Sequence, residues 1–152
     1  MVNLSVDFMA GLADEVPNIV AVKQANNDEL GPVEGLELLA GNDDVFARTL
    51  SLGGAGGILV ASHLVGAEMR AIYEAHGAGD GGRAHELEAE LMPVYEALTV
   101  TANPIPVKAG LEMLGVIEGG MRLPMVPASA QERTVVRAAL ERRGLLVAGG
   151  AG

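Results

Sequence analysis

Three short runs of apolar residues, each nearly unbroken rather than alternating, constrain this chain more than any other feature. Asn18-Ile19-Val20-Ala21-Val22 lies between Pro17 and Lys23, Leu36-Glu37-Leu38-Leu39-Ala40 stops at Gly41, and Gly57-Ile58-Leu59-Val60-Ala61 leaves a glycine cluster. A strand with one wet face alternates polar and apolar residues, whereas a parallel strand covered on both faces reads as a continuous apolar stretch. The three runs therefore predict parallel strands. Helical patterns separate them. Ser5 is placed to cap a helix ending near Glu15, with Asp7 in its first turn. Asp43 is placed to cap another, running through Val45, Phe46 and Leu50 to Gly53. Strand, helix, strand in succession implies right-handed crossovers and an α/β fold. The segment from Gln24 to Gly35, with Gly31 and Pro32 inside it, is near the minimum for a crossover and predicts one short helical turn.

The second half reads as helix throughout. Val65 to about His76 is amphipathic, and the linker Gly77-Ala78-Gly79-Asp80-Gly81-Gly82 follows. From Arg83 to about Thr99, Leu87, Leu91, Val94, Tyr95 and Leu98 recur at spacings of three and four, and Pro93 is expected to bend that helix. Asn103-Pro104 predicts a helix start with Asn103 as cap. Ser129-Ala130-Gln131-Glu132 matches a capping box and opens a last helix that ends near Gly144. The expected division is an α/β segment, 1–76, a helical segment, 77–146, and a frayed tail, 147–152.

Composition excludes several functions. At 152 residues and 49% hydrophobic content the chain suits one domain of ordinary size. Ten basic residues face 20 acidic ones, for a net charge of -10, and only 3% of residues are aromatic. Neither a phosphate-neutralising patch nor stacking platforms are present, so no nucleic-acid partner is expected. The absence of cysteine removes disulfides, thiolate metal sites and thiol nucleophiles together. The longest apolar stretches fall far short of the roughly 20 residues that span a bilayer, and no basic segment leads into an apolar one. The expectation is a cytoplasmic protein with no membrane partner.

Lysine is scarce and therefore informative: Lys23 and Lys108 stand against eight arginines. Lys23 follows an apolar strand, and both open α/β sheets and (β/α) barrels place their active sites at that end of the strands. Partial desolvation disfavours the ammonium form of such an amine and frees it to condense with a ketone as a Schiff base. A lysine snorkelling from a strand end into water is the alternative, and position alone favours it. Gly53-Gly54-Ala55-Gly56-Gly57 suggests a phosphate loop, but such loops follow a strand and open a helix, the reverse of the order here. Turn chemistry is the better reading. Gly41-Asn42-Asp43-Asp44 does follow a strand and precede a helix, so it either offers backbone amides to a carboxylate or caps the helix. His63, His76 and His85 lack the spacing of a metal motif, no metal is expected, and no G-x-S-x-G element appears.

The residues nevertheless carry a resemblance. Asn18-Ile19-Val20-Ala21-Val22-Lys23, Ala40-Gly41-Asn42-Asp43-Asp44 and Leu52-Gly53-Gly54-Ala55-Gly56-Gly57-Ile58 follow one another in the order of a known family. Asn103-Pro104-Ile105-Pro106-Val107-Lys108 and Arg122-Leu123-Pro124 complete the pattern. Together, from about Leu4 to Leu146, they resemble the carboxyl-terminal half of the dihydrodipicolinate synthase family, pyruvate-dependent class I aldolases that include N-acetylneuraminate lyase. The Asn-Pro-Ile-Pro-Val-Lys element is the most specific and favours the synthases over their lyase relatives.

The resemblance implies a partial (β/α)8 (TIM) barrel followed by a three-helix region, usually assembled as an oligomer. It implies that Lys23 forms the Schiff base with pyruvate, that the resulting enamine attacks aspartate semialdehyde on the route to lysine and diaminopimelate, and that Gly41 and Ile58 line the substrate pocket. No cofactor is implied. Departures stand beside the match. The family's amino-terminal strands have no counterpart here, nor do the tyrosine that relays protons, the paired threonines beside it and the arginine for the second substrate. Gln24 stands where many relatives carry Glu. The resemblance thus implies impaired synthase activity for this chain by itself, with a homo-oligomer or a complementing amino-terminal half as partner. The alternative is a non-catalytic fragment or interaction module.

Overall fold

Ser5 starts the first helix by the chemistry its position suggests: its hydroxyl oxygen accepts from the Phe8 amide at 3.3 Å, opening α1 (Val6–Glu15). The structure, a computed structural model, describes residues 3–147; of the tail expected to fray, only Val147 falls among them. Two compact units are present. One takes in the described residues up to Leu59 together with Met69–Glu88, and the other comprises Val60–Glu68 and the described residues from Ala89.

The first unit is built on three parallel strands in the order β1-β2-β3: β1 (Ala21–Gln24), β2 (Glu37–Ala40) and β3 (Gly56–Gly57). Ala21 pairs with Glu37, Lys23 with Leu39 and Gln24 with Ala40, while Leu39 and Ala40 pair onward with Gly56 and Gly57. The short crossover holds the single helical turn expected of it, Asn27–Glu29, with the Asn26 side chain accepting from the Asp28 amide at 3.2 Å.

Strand limits differ from the apolar runs for identifiable reasons. Pro17 and Asn18 form a turn closed by the Ile19 amide on the Val16 carbonyl, so β1 starts at Ala21 and takes Lys23 inside the strand. β3 is far shorter than the run Gly57–Ala61. The Ile58 amide makes the last bond to β2, on the Ala40 carbonyl at 2.9 Å, and the chain beyond has no ladder to continue. The expectation of cover on both sheet faces also needs correction. Side chains alternate across a strand. Leu38 and Ala40 are buried, and Leu38 packs with Leu30, Val45 and Val22, whereas Lys23 and Glu37 on the opposite face are exposed and Leu39 is half-buried. α2 (Phe46–Ser51) packs on β2 and β3.

Asp43 is not the cap of α2. It lies within a 3-10 turn, Asp43–Val45, that precedes the helix, and neither Asn42 nor Val45 makes a side-chain cap bond. The helix start is satisfied from a distance in sequence: the Glu88 carboxylate accepts from the buried Ala47 amide at 2.7 Å. Burial holds the Glu88 carboxyl above its usual value of 4.5, opposed in part by the Ala47 bond. Glu88 sits on the face of α4 (Gly81–Leu98) that also carries buried Ala84, and Asp80 caps that helix by accepting from the Arg83 amide at 2.9 Å.

α3 spans Ser62–Gly77, starting three residues earlier than the amphipathic pattern, and is interrupted at Val65, whose φ of -127° and ψ of 38° are not helical. Pro93 lies inside α4. In the second unit, Leu91, Val94, Tyr95 and Leu98 are buried along α4. α5 (Ile105–Met113) is capped by Pro104 rather than Asn103, with no side-chain bond. α6 (Ala130–Arg142) opens with the predicted capping box, Ser129 and Glu132 bonding reciprocally at 3.3 and 2.7 Å, and the Ser129 amide holds the Glu132 carboxyl below its usual value. α5 packs on α6: Arg133 bonds Glu112 at 2.8 Å, and Gly110 lets Leu64 and Val136 approach closely. Among the described residues, no helix is long and apolar enough to cross a membrane.

Glu88 generates a pH prediction. A carboxyl whose folded pKa is raised binds protons more readily in the folded state, so its contribution to stability falls as pH rises from about 4.5 through the raised value. Glu88→Gln keeps an acceptor for the Ala47 amide and removes that decline. Glu88→Ala strands the amide and costs about 1–3 kcal/mol, most at the acid end. Thermal unfolding of the three proteins between pH 4 and 8 checks both outcomes, in a window set by the usual carboxylate range.

Candidate functional site

Parallel pairing brings the three sequence-predicted site residues together. Because Gln24 pairs with Ala40, the end of β1 lies beside the end of β2, and the Gly41 amide donates to the Gln24 carbonyl at 2.8 Å. Ile58 follows β3 directly, held to Ala40 by its own amide. Lys23, Leu39 and Gly56 are register partners on adjacent strands, so the side chains of Lys23 and Leu39 leave the same face, and Ile58 lies two residues beyond Gly56. This face is open: Ile58 is 55% exposed and Lys23 is exposed. The strand by itself therefore does not desolvate the Lys23 amine. A cleft of about 280 Å3 runs beside β1, lined by Asn3, Leu4, Met9, the β1 residues Val22 to Gln24, and Ala25 and Asn26 after the strand.

Gly41 is required where it stands. A Cβ there would lie 2.5 Å from the Gln24 carbonyl oxygen and 2.8 Å from the Ala25 Cα, both backbone atoms. Its amide is spent on that same carbonyl, so of the two openings the sequence left for Gly41-Asn42-Asp43-Asp44, this amide does not serve a ligand carboxylate. The cluster at Gly53–Gly57 behaves as a turn. Gly53 has φ +87°, and the amides of Gly53 and Gly54 close the end of α2 on the Leu50 and Thr49 carbonyls. A Cβ at Gly54 would meet Thr49 Cγ2 at 2.6 Å. These amides are not free to cradle a phosphate.

The remaining polar candidates fall elsewhere. His85 Nε2 lies 3.3 Å from Ser51 Oγ on an exposed surface. That hydroxyl already donates to the Ala47 carbonyl at 3.0 Å, an arrangement unsuited to nucleophile activation. His76 lies in the last turn of α3, and among the described residues its Nδ1 has no partner. Lys108, the second lysine, lies on α5 beside the Glu112–Arg133 pair, around a hollow of only about 10 Å3. Among the described residues no cluster of His, Asp and Glu suits a metal ion. Sequence reasoning missed Glu88 and the amides of Asn27 and Asn42. Glu88 had a signal, its spacing of four and three from the apolar positions Ala84 and Leu91, which puts it on the buried side of α4. The two asparagines had none, because their partners are distant in sequence.

Parallel βα units that gather one lysine and two loops at their strand ends define a portion of a (β/α)8 barrel. Over residues 1–143 the chain matches the Dihydrodipicolinate synthetase family, a family of lyases, and it belongs to that family. It is 39% identical over 153 aligned positions to the 4-hydroxy-tetrahydrodipicolinate synthase of Synechococcus elongatus, covering 96% of this chain and 51% of that protein. Dihydrodipicolinate synthase from Thermotoga maritima superposes with a TM-score of 0.91 at 34% identity, over 95% of this chain and 52% of its own. The chloride-inhibited dihydrodipicolinate synthase from Acinetobacter baumannii, solved complexed with pyruvate, superposes at 0.87 with 31% identity, over 95% and 52%. The chain thus spans about half the length of the curated relatives it matches.

Glycine substitutions separate backbone demand from mere tolerance. Gly41→Ala drives a methyl into the end of β1 and should cost about 1–3 kcal/mol. Gly11→Ala, inside α1 with nothing within 4 Å of its added carbon, should stabilise by up to about 1 kcal/mol. Denaturant unfolding of both variants reads the opposite signs.

Proposed function

We propose that Lys23 captures pyruvate as a Schiff base, and that this chain supplies the lysine-bearing half of a 4-hydroxy-tetrahydrodipicolinate synthase site. One observation carries the reading: the register Lys23↔Leu39, Leu39↔Gly56 sets the amine on the same open face as Ile58 and beside the Gly41 loop. The solved relative complexed with pyruvate supports the choice of keto acid. In this chemistry the Lys23 Nζ attacks the pyruvate C2, and loss of water from the carbinolamine gives the imine. Loss of a methyl proton gives the enamine, whose carbon attacks the aldehyde of aspartate semialdehyde, and attack of that substrate's own amine on the imine carbon closes the ring and releases the Lys23 amine.

The exposure of Lys23 sets what the chain does unaided. An imine open to water hydrolyses readily, and a proton relay in good position contributes about 10²- to 10⁴-fold to rate. The described residues offer Lys23 no tyrosine or paired threonines on the strand ends. The proposed partner is accordingly a chain that covers this face, either a complementing amino-terminal half or another copy, and the isolated chain is a poor synthase that still forms the imine.

Borohydride reduction in the presence of pyruvate tests this. The expected product carries a reduced pyruvate adduct on the Lys23 peptide and none on the Lys108 peptide, and Lys23→Ala abolishes it. An adduct on Lys108 alone, or no adduct at saturating pyruvate, contradicts the reading.

A further inference from the structure

We infer that Asn42, acting with Asn27, is a positioning residue for keto-acid capture at Lys23, bracing the loop after β1 against the loop after β2. The inference rests on the pyruvate reading above. Four hydrogen bonds define the brace. Asn42 Nδ2 donates to the Ala25 carbonyl at 2.8 Å and to Asn27 Oδ1 at 2.9 Å. Asn27 Nδ2 in turn donates to the Asp44 carboxylate, at 3.1 Å to Oδ2 and 3.4 Å to Oδ1. Every bond crosses from one loop to the other, since Ala25 and Asn27 follow β1 while Asn42 and Asp44 follow β2.

The chain of bonds has a fixed direction. Asp44 accepts only, so it orients the Asn27 amide with its nitrogen outward and its oxygen toward Asn42. That oxygen then orients Asn42, whose nitrogen is left to hold the Ala25 carbonyl. Asn27 and Asn42 are half-buried. On the inner side Gln24 is buried, and its side chain accepts from the Asn26 amide at 2.9 Å, so the loop after β1 is fastened at both ends. Between these fastenings lie Gln24–Ala25 and Gly41, the two backbone segments in closest approach next to Lys23.

The consequence is one of preorganisation. Loops already held in place need no ordering when a ligand settles on the strand ends, whereas loose loops charge that entropy to binding. The chemistry at the Lys23 amine does not pass through the brace. Removing it should therefore weaken capture without preventing it.

Asn42→Asp keeps the shape and loses both donations; Asn42→Leu loses them without adding charge. Trapping with pyruvate and borohydride is measured against pyruvate concentration for each variant and the unaltered chain. The expected result is a rise of about tenfold in the pyruvate needed for half-maximal trapping, the equivalent of roughly one net hydrogen bond, with the maximal extent of trapping retained. The Gly41 amide should also exchange with deuterium faster in both variants, while the amides of α6 do not change. Unaltered half-saturation in both variants, with the unaltered chain trapping normally, overturns the positioning role and leaves the pyruvate reading intact. Unaltered Gly41 exchange overturns the brace whatever the trapping shows. Failure of the unaltered chain to trap pyruvate overturns the reading on which the inference rests, and the inference with it.

Discussion

The parallel register of β1 on β2 is the constraint on which the rest of the first unit depends. Side chains alternate, so a slip of one residue would turn Lys23 toward Leu30, Leu38 and Val45 and bring Val22 out to water. Burying an unpaired ammonium among those side chains would cost several kcal/mol. The apolar face of the two strands and the charge on Lys23 thus select one register between them. That same register lays the end of β1 beside Gly41, and the pairing of β2 with β3 sets the Ile58 amide beside Ala40.

Around this sheet the site is shaped as much by missing side chains as by those present. Gly41 admits the Gln24 carbonyl, and Gly54 admits Thr49 where α2 turns back to β3. Glu88 shows the opposite strategy. A carboxylate is taken into a poorly solvated place, where it accepts from the buried Ala47 amide at 2.7 Å, and the cost of burying each group is offset in that bond. A buried acid above its usual range is the residue of that arrangement.

Much of this was legible in the residues, and the remainder was hidden for physical reasons. Continuous apolar runs disclosed parallel strands, and local chemistry disclosed the Ser5 cap and the Ser129–Glu132 box, because each cap closes on its own first turn. Lys23 stood out by its rarity and position, and Gly41 and Ile58 by family resemblance. Strand limits were misplaced where pairing, which composition does not encode, decides them: Asn18 turns and β3 ends at Gly57. Cover on both faces was expected from the continuous apolar runs, and in the described residues the face carrying Lys23, half-buried Leu39 and Ile58 stays open. The Asp43 and Asn103 caps failed because a distant carboxylate and a proline hold those places. Glu88, Asn27 and Asn42 act across the fold, which local sequence does not announce.

The central claim is that one strand register places the sole lysine of the sheet where a keto acid can be captured against the Gly41 and Ile58 backbones. A crystal structure of the chain after reduction with pyruvate examines it most directly. The account predicts density continuous with Lys23 Nζ, with the adduct lying on the open sheet face over Gly41 and Ile58. Density leading from Lys23 toward the Leu38 face, or away from both loops into solvent, would contradict it.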